Sequence, residues 1–144
     1  MRITTTRFGE IEVEKSEIIT FPQGILGFEG VQQYILLGDV QPFGFLQAVE
    51  DPDLTFVVID PTALVPDYRV EVPRTEMERI GLKEPSEAVA LAIVTIPSDP
   101  QKMTANLQAP VVISTANRQA RQLVLTEGTY NMRHPVLQSI DQSA

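Results

Sequence analysis

Residues 21–29 read Phe21-Pro22-Gln23-Gly24-Ile25-Leu26-Gly27-Phe28-Glu29, and in this stretch the apolar content disagrees with the backbone chemistry. Four large hydrophobic side chains favour burial, but two glycines and a proline interrupt any regular strand or helix. The stretch is therefore predicted to be an apolar loop. Our main expectation is that it folds inward and closes the end of a β-structure. The alternative is a surface loop that offers Ile25 and Phe28 to another protein.

On both sides of this glycine loop (residues 21–29), apolar residues alternate with polar ones at the two-residue period of a half-buried strand. Residues 2–8 and 10–14 flank Gly9 and predict an opening β-hairpin. Residues 50–53 predict a turn, because proline presets φ and aspartate side chains accept hydrogen bonds from nearby backbone amides. Further strands are predicted at residues 18–21, 33–38, 44–49, 54–59, 103–109, 111–114 and 119–125.

One short helix is predicted near the middle of the chain. Thr75 and Glu78 have the spacing of a capping box, in which each side chain satisfies a free backbone amide of the other residue. Gly81 is placed to end the helix in the left-handed conformation. A helix of under two turns is unstable alone, so it must dock Met77 and Ile80 onto the sheet.

The pattern predicts an all-β (mainly β) fold, a small antiparallel β-barrel-like domain with one short helix. Residues 88–96 are apolar almost throughout and predict a central strand buried on both faces. The length of 144 residues fits one domain. We assign residues 1–137 to this domain and expect residues 138–144, which lack a pattern, to fray.

Composition favours a cytoplasmic protein. The chain has no cysteine, which excludes a disulfide framework, a thiolate nucleophile and a cysteine-ligated metal. The N-terminus has no hydrophobic signal core, and the apolar runs are too short to span a membrane. We therefore expect a soluble, unsecreted protein that does not associate with a membrane.

The negative charge is concentrated in one segment. The net charge is −8, and residues 50–78 carry −6 of it, from eight acidic residues and two arginines. A field of this sign repels phosphate backbones and attracts basic partners. We therefore predict no direct binding of nucleic acid. The acidic residues serve either to recognise a basic protein or only to solvate one side of the domain.

Motifs for catalysis and nucleotide binding are absent from the sequence. His134 has no marked nucleophile beside it. Asp51 and Asp53 could bind a hard cation, but they lie in the predicted turn, where their side chains already have a backbone role. We predict no enzyme activity, no metal and no cofactor. The alternative is a small-molecule-binding barrel or a hydrolase that uses Asp60, Asp67 or His134.

Asn106 lies between apolar residues in a predicted strand, where asparagine is disfavoured. Its carboxamide can donate and accept hydrogen bonds at once, and most such groups satisfy the backbone of their own chain. The sharper interpretation is that Asn106 recognises the main chain of a partner at an open strand edge.

Four separated stretches resemble the family of the flagellar assembly factor FliW, and their order and spacing cover almost the whole chain. They are residues 21–29 quoted above, Glu50-Asp51-Pro52-Asp53-Leu54-Thr55-Phe56-Val57-Val58-Ile59-Asp60-Pro61, Met103-Thr104-Ala105-Asn106-Leu107-Gln108-Ala109-Pro110-Val111-Val112-Ile113 and Tyr130-Asn131-Met132-Arg133-His134-Pro135. The resemblance implies a small β-barrel-like protein that binds flagellin. It also implies that the protein binds the RNA-binding translational regulator CsrA, and that this binding relieves the repression of flagellin synthesis.

Under this resemblance we expect a monomer that binds its partners without making or breaking a bond. The acidic segment suits a basic RNA-binding regulator, and open strand edges suit an extended segment. The residues expected at the partner surface are Ile25, Phe28 and Glu29 in the glycine loop, Asp67 and Glu71 as electrostatic contacts, and Asn106 with Leu107.

Overall fold

Strands dominate the computed structural model, which describes residues 1–125 and 130–137. In this part of the chain the strands are β1 (Arg2–Thr5), β2 (Gly9–Glu12), β3 (Ile19–Thr20), β4 (Gln33–Leu37), β5 (Phe43–Ala48), β6 (Thr55–Ile59), β7 (Ala88–Thr95), β8 (Thr104–Ala105), β9 (Val111–Ser114), β10 (Ala120–Gln122) and β11 (His134–Pro135). Helix α1 spans Arg74–Arg79, and 3-10 turns lie at Lys15–Glu17, Pro61–Ala63, Pro85–Glu87 and Pro100–Lys102. The described helices include none long and apolar enough to cross a membrane.

The main sheet curls until its two end strands meet. Its strands lie in the order β10-β9-β7-β6-β5-β4-β3, with antiparallel neighbours, while β8 pairs with the end of β7 and with β11. The N–H of Thr20 in β3 donates to the carbonyl of Arg118 at 2.9 Å, and Thr20 forms a parallel bridge to Gln119, just before β10. The predicted antiparallel β-barrel-like fold is therefore confirmed.

The core occupies the inside of this curled sheet. Phe21, Tyr34, Leu46 and Val58 are fully buried there and share one hydrophobic cluster. Apolar side chains thus leave water from four separate stretches of the chain, which is the dominant favourable term in folding. The predicted opening hairpin is also confirmed, and β1 and β2 pair in register from Arg2 with Glu12 to Thr5 with Gly9.

The short helix is confirmed, but its predicted start is wrong. Helix α1 begins at Arg74 after Pro73, so Thr75 lies inside the first turn and makes no capping hydrogen bond. Proline is favoured at this end because its missing N–H has no intrahelical acceptor there. The predicted end is correct, since Gly81 has φ +65° and Ile80 docks into the interior with 3 % exposure.

Strand β7 is central, as predicted, but burial is concentrated in residues 91–94 and does not extend over both faces at its start. Leu91 and Ala92 are buried, whereas Val89 is 41 % exposed. The difference follows from pairing, because residues 88–91 have only β9 beside them, while residues 92–94 pair with β6.

Several predicted strands are shorter in the structure. From residues 103–109 only Thr104–Ala105 remains a strand, because Asn106 turns the chain immediately afterwards. From residues 119–125 only Ala120–Gln122 remains. The turn at residues 50–53 forms as predicted, with the N–H of Leu54 donating to the carbonyl of Asp51 at 3.2 Å. The expected fraying of residues 138–144 lies outside the described residues.

Candidate functional site

The glycine loop divides its hydrophobic side chains between the core and the surface. Phe21 and Ile25 are buried, whereas Leu26 is 61 % and Phe28 is 42 % exposed. The Phe28 ring packs edge-on against Phe56, with ring centroids 5.2 Å apart, which covers only part of it. The loop therefore folds partly inward, as the main expectation has it, and leaves two of its apolar side chains at the surface. The expectation that Ile25 contacts a partner is corrected, because the core encloses its side chain.

The loop holds this shape through a close approach at Gly24. Gly24 has φ +68°, and a Cβ atom there would lie 2.5 Å from the Cα atom of Glu29. The N–H of Gly24 donates to the carbonyl of Phe21 at 2.8 Å, and the N–H of Phe28 donates to the carbonyl of Ile25 at 2.7 Å. The loop thus folds back on itself, and the carboxylate of Glu29 accepts from the N–H of Gly27 at 3.1 Å.

Strand β10 faces the glycine loop, and side chains join the two. Gln122 accepts a hydrogen bond through Oε1 from the N–H of Leu26 at 2.9 Å. The guanidinium of Arg121 donates to the side-chain oxygen of Gln23 and forms an ion pair with Glu76. Between them lies a groove of about 960 Å³, which we call the loop groove.

The loop groove has three walls, and their chemistry is mixed. Its lining residues are Gln23, Gly24, Leu26 and Glu29 from the glycine loop, Arg69, Glu71, Val72, Pro73 and Glu76 from the acidic segment, and Arg121, Gln122, Leu123, Val124, Leu125 and Tyr130. Leu26 and Val124 project apolar side chains that are 61 % and 56 % exposed. Exposed apolar groups next to carboxylates make an amphipathic surface, which suits a protein segment.

The acidic segment contributes charge that the domain leaves exposed. Five of its eight carboxylates lie on exposed residues, namely Glu50, Asp53, Asp67, Glu71 and Glu78. Within the part of the chain that the structure describes, no ion pair involves Asp67 or Glu71. Glu71 lines the loop groove and Asp67 does not, so the structure brings only Glu71 beside the glycine loop.

Asn106 and Leu107 serve the fold. The side-chain oxygen of Asn106 accepts from the N–H groups of Gln108 at 3.1 Å and Ala109 at 3.0 Å. Leu107 is 1 % exposed, and its carbonyl accepts from the hydroxyl of Tyr68 at 2.8 Å. The expectation that Leu107 contacts a partner is corrected, because Leu107 is core, whereas the partner contact of the half-buried Asn106 stays a prediction.

The residues of the alternative prediction do not converge on one groove. Asp60 accepts through Oδ1 from the N–H and the hydroxyl of Thr62, at 3.0 and 2.7 Å. His134 lies in β11, where it pairs with Ala105, and neither His134 nor Asp67 lines the loop groove. Among the described residues, no group of three or more His, Asp or Glu side chains is placed to hold a metal ion.

Burial perturbs the pKa of two tyrosines. Burial, with a smaller contribution from Asp51, raises the pKa of Tyr34 to about 12. Burial and then the neighbouring Tyr130 raise the pKa of Tyr68. Both phenols therefore stay protonated near neutral pH, and Tyr68 acts there as a hydrogen-bond donor to the core.

Sequence reasoning missed the opposite wall of the loop groove. Arg121 and Gln122 reach residues nearly one hundred positions earlier in the chain, and no local pattern encodes that pairing. Leu26 was also missed, although it stands beside Gly27 in a loop that holds more large apolar residues than its interior accommodates.

Comparison with known proteins gives a consistent result. The family model described as FliW protein matches residues 2–137. A flagellar assembly factor FliW from Natranaerobius thermophilus is 45 % identical over 139 residues, which cover 94 % of this chain and 92 % of the relative. Another from Geobacter sulfurreducens is 42 % identical and covers 100 % of this chain and 89 % of the relative. A crystal structure of the flagellar assembly factor FliW superposes with a TM-score of 0.86 at 34 % identity, covering 94 % of this chain and 96 % of that one.

Proposed function

The chain belongs to the FliW family of flagellar assembly factors, and from that premise we propose that it binds two proteins, flagellin and the translational regulator CsrA. Binding to CsrA opposes the repression of flagellin mRNA translation. The role is non-enzymatic and cytoplasmic, and the protein acts as a monomer that does not itself bind nucleic acid.

The observation that carries this proposal is the loop groove. It joins exposed apolar side chains, Leu26 and Val124, to the exposed carboxylate of Glu71. An interface of two proteins typically buries apolar anchors inside a polar rim, and this surface provides both elements. Phe28 extends the apolar surface on the same loop.

Electrostatics supports a basic partner. A protein that binds RNA carries Lys and Arg residues that neutralise phosphates, so its surface complements a segment of net charge −6. Exchange between the two partners then follows mass action. While flagellin is abundant it occupies the factor, and after its export the factor is free to bind CsrA and lower its affinity for RNA.

Charge reversal tests the electrostatic part. We expect Glu71→Lys to weaken binding of CsrA about tenfold in titration calorimetry, which corresponds to about 1.4 kcal/mol, and to leave the melting temperature unchanged. Glu84→Lys is the matched control, because Glu84 is exposed, its reversal changes the net charge equally and it does not line the loop groove. An equal loss of CsrA affinity in both variants would mean that only the net charge of the domain matters, and not the position of Glu71.

Truncation tests the apolar part. Leu26→Ala removes a side chain that is 61 % exposed, and its burial by a partner is worth about 1–2 kcal/mol. We expect about a tenfold loss of affinity for flagellin or CsrA, whereas Ile96→Ala, at a 48 % exposed position outside the loop groove, should have no effect. The proposal fails if neither purified protein produces heat with the wild-type chain at low salt.

A further inference from the structure

Strand β7 has an unpaired edge over its first half. Residues 88–91 pair with β9 on one side, and pairing with β6 on the other side begins only at Ala92 opposite Ile59. Strand β6 cannot follow β7 further, because Asp60 and Pro61 turn the chain into the 3-10 turn Pro61–Ala63. The described chain places no other strand against this edge.

The backbone groups that point out of this edge can be identified. The carbonyl of Ile93 accepts from the N–H of Asn106, so odd-numbered residues of β7 face β8 and β9. The backbone of Ser114, opposite Ala88, bonds instead to Gln119 and Arg118, which agrees with this alternation. The N–H and C=O of Ala90 and the C=O of Ala88 therefore point towards the open side. In residues 1–125 and 130–137, these three groups have no hydrogen-bond partner.

A groove of about 780 Å³ runs along this edge, and we call it the β7 groove. Its apolar lining comes from Leu36, Val40, Val70, Val72, Val89 and Leu91. Two carboxylates, Asp60 and Glu71, and one cation, Arg69, complete its rim. The half-buried Ala88 and Ala90 thus line an apolar channel with a net negative rim.

The edge residues themselves lack the side chains that normally protect a strand from pairing, although Pro61 and residues 68–72 line the groove beside them. Free edges are usually blocked by lysine, proline, a bulge or a covering loop. Here the residues are Ala88, Val89 and Ala90, which carry no charge and are small enough to let another backbone approach. The end strand β10 differs, because Arg121 and Gln122 are already engaged with the glycine loop.

We propose that the β7 groove binds an extended peptide segment of a partner protein, which adds a strand beside residues 88–91. Main-chain hydrogen bonds to Ala88 and Ala90 hold the segment, and alternate apolar side chains fill the channel beside Val89. The negative rim selects lysine or arginine at the intervening positions. This binding is separate from the loop groove, although Arg69, Glu71 and Val72 line both.

A synthetic peptide tests the assignment. The probe is a six-residue peptide of alternating valine and lysine, blocked at both ends, added to the full chain. We expect amide hydrogen exchange at Ala90, measured by NMR, to slow at least about tenfold at saturation, because the N–H gains an acceptor. N-methylation of one alternate set of peptide amides should abolish binding, whereas methylation of the other set should not.

Val89→Lys places a charge in the channel at an exposed position and should abolish peptide binding without unfolding the domain. Ile96→Lys is the matched control, because Ile96 is 48 % exposed and lines neither the β7 groove nor the loop groove. Unchanged exchange at Ala90, or equal binding by Val89→Lys, would overturn the proposal. So would a concentration-dependent dimer that Val89→Lys abolishes, because a second copy would then occupy the edge.

Discussion

Substitution of Gly24 by alanine gives a direct test of how the glycine loop is built. Gly24 has φ +68°, and an alanine in this left-handed conformation is destabilised by about 1–2 kcal/mol. Its Cβ atom would also lie 2.5 Å from Cα, 2.7 Å from O and 2.8 Å from C of Glu29. These are backbone atoms, so no side-chain rotation relieves the contact. We expect a total loss of about 2–4 kcal/mol in the free energy of unfolding, because strain and overpacking add.

Gly27 provides the matched control on the same loop. It has φ +88°, but a Cβ atom there meets no other atom within 4 Å. Gly27→Ala should therefore lower the free energy of unfolding only by the cost of the left-handed conformation, about 1 kcal/mol. Urea unfolding of both variants measures the difference, and each kcal/mol should lower the melting temperature by about 3–5 °C in a chain of this length.

Equal destabilisation by the two alanines would refute the reasoning. It would mean that the loop moves away from Glu29 without cost, so that the close approach at Gly24 does not hold the loop in place. In that case the position of Leu26 at the loop groove would also lose its structural basis.

Three further predictions concern side chains of the core and the loop. Ile25→Ala should cost about 2–4 kcal/mol in urea unfolding, because Ile25 is 1 % exposed, whereas Leu26→Ala should stay within about 0.5 kcal/mol. Tyr68→Phe should cost about 1–2 kcal/mol, because it leaves the buried carbonyl of Leu107 without its donor. Tyr34→Phe should be neutral or stabilising, since within the described residues the buried Tyr34 hydroxyl has no hydrogen-bond partner. The pKa of Tyr34 is higher in the folded state than in the unfolded state, so the stability linked to its proton is complete below pH 10 and is lost as the pH rises towards about 12. In a series of denaturation experiments against pH, the free energy of unfolding should therefore fall less steeply above pH 10 in Tyr34→Phe than in the wild type.

Local patterns predicted most of the fold. The period-two alternation located the strands, and Gly9, Gly81 and residues 50–53 marked turns that the structure contains. The errors came from tertiary context. Thr75 has the chemistry of a helix cap, but Pro73 fixes the start of α1 two residues earlier. Residues 88–96 are apolar enough for a strand buried on both faces, but β6 ends too early to cover Val89.

The candidate site was predicted only in part, for a physical reason. Exposure of Phe28 and Glu71 agrees with their expected place at a surface, whereas Ile25 and Leu107 are enclosed by the core. A sequence shows that a side chain is apolar, and it does not show which of two neighbouring apolar residues the curvature of the sheet turns inward. Ile25 and Leu26 are adjacent and similar in size, yet their exposures are 1 % and 61 %.

The segment of residues 69–72 forms a wall of both grooves, and this shared wall decides how the two sites must be separated in experiment. Charge reversal at Glu71 changes the rim of each groove, so its effect on binding combines the contributions of both grooves. Leu26 lines only the loop groove and Val89 lines only the β7 groove. If Leu26→Ala weakens binding of a partner while Val89→Lys does not, that partner sits in the loop groove alone. A partner weakened by both spans the wall, and because the two sites then share one ligand, their contributions to its binding free energy need not add.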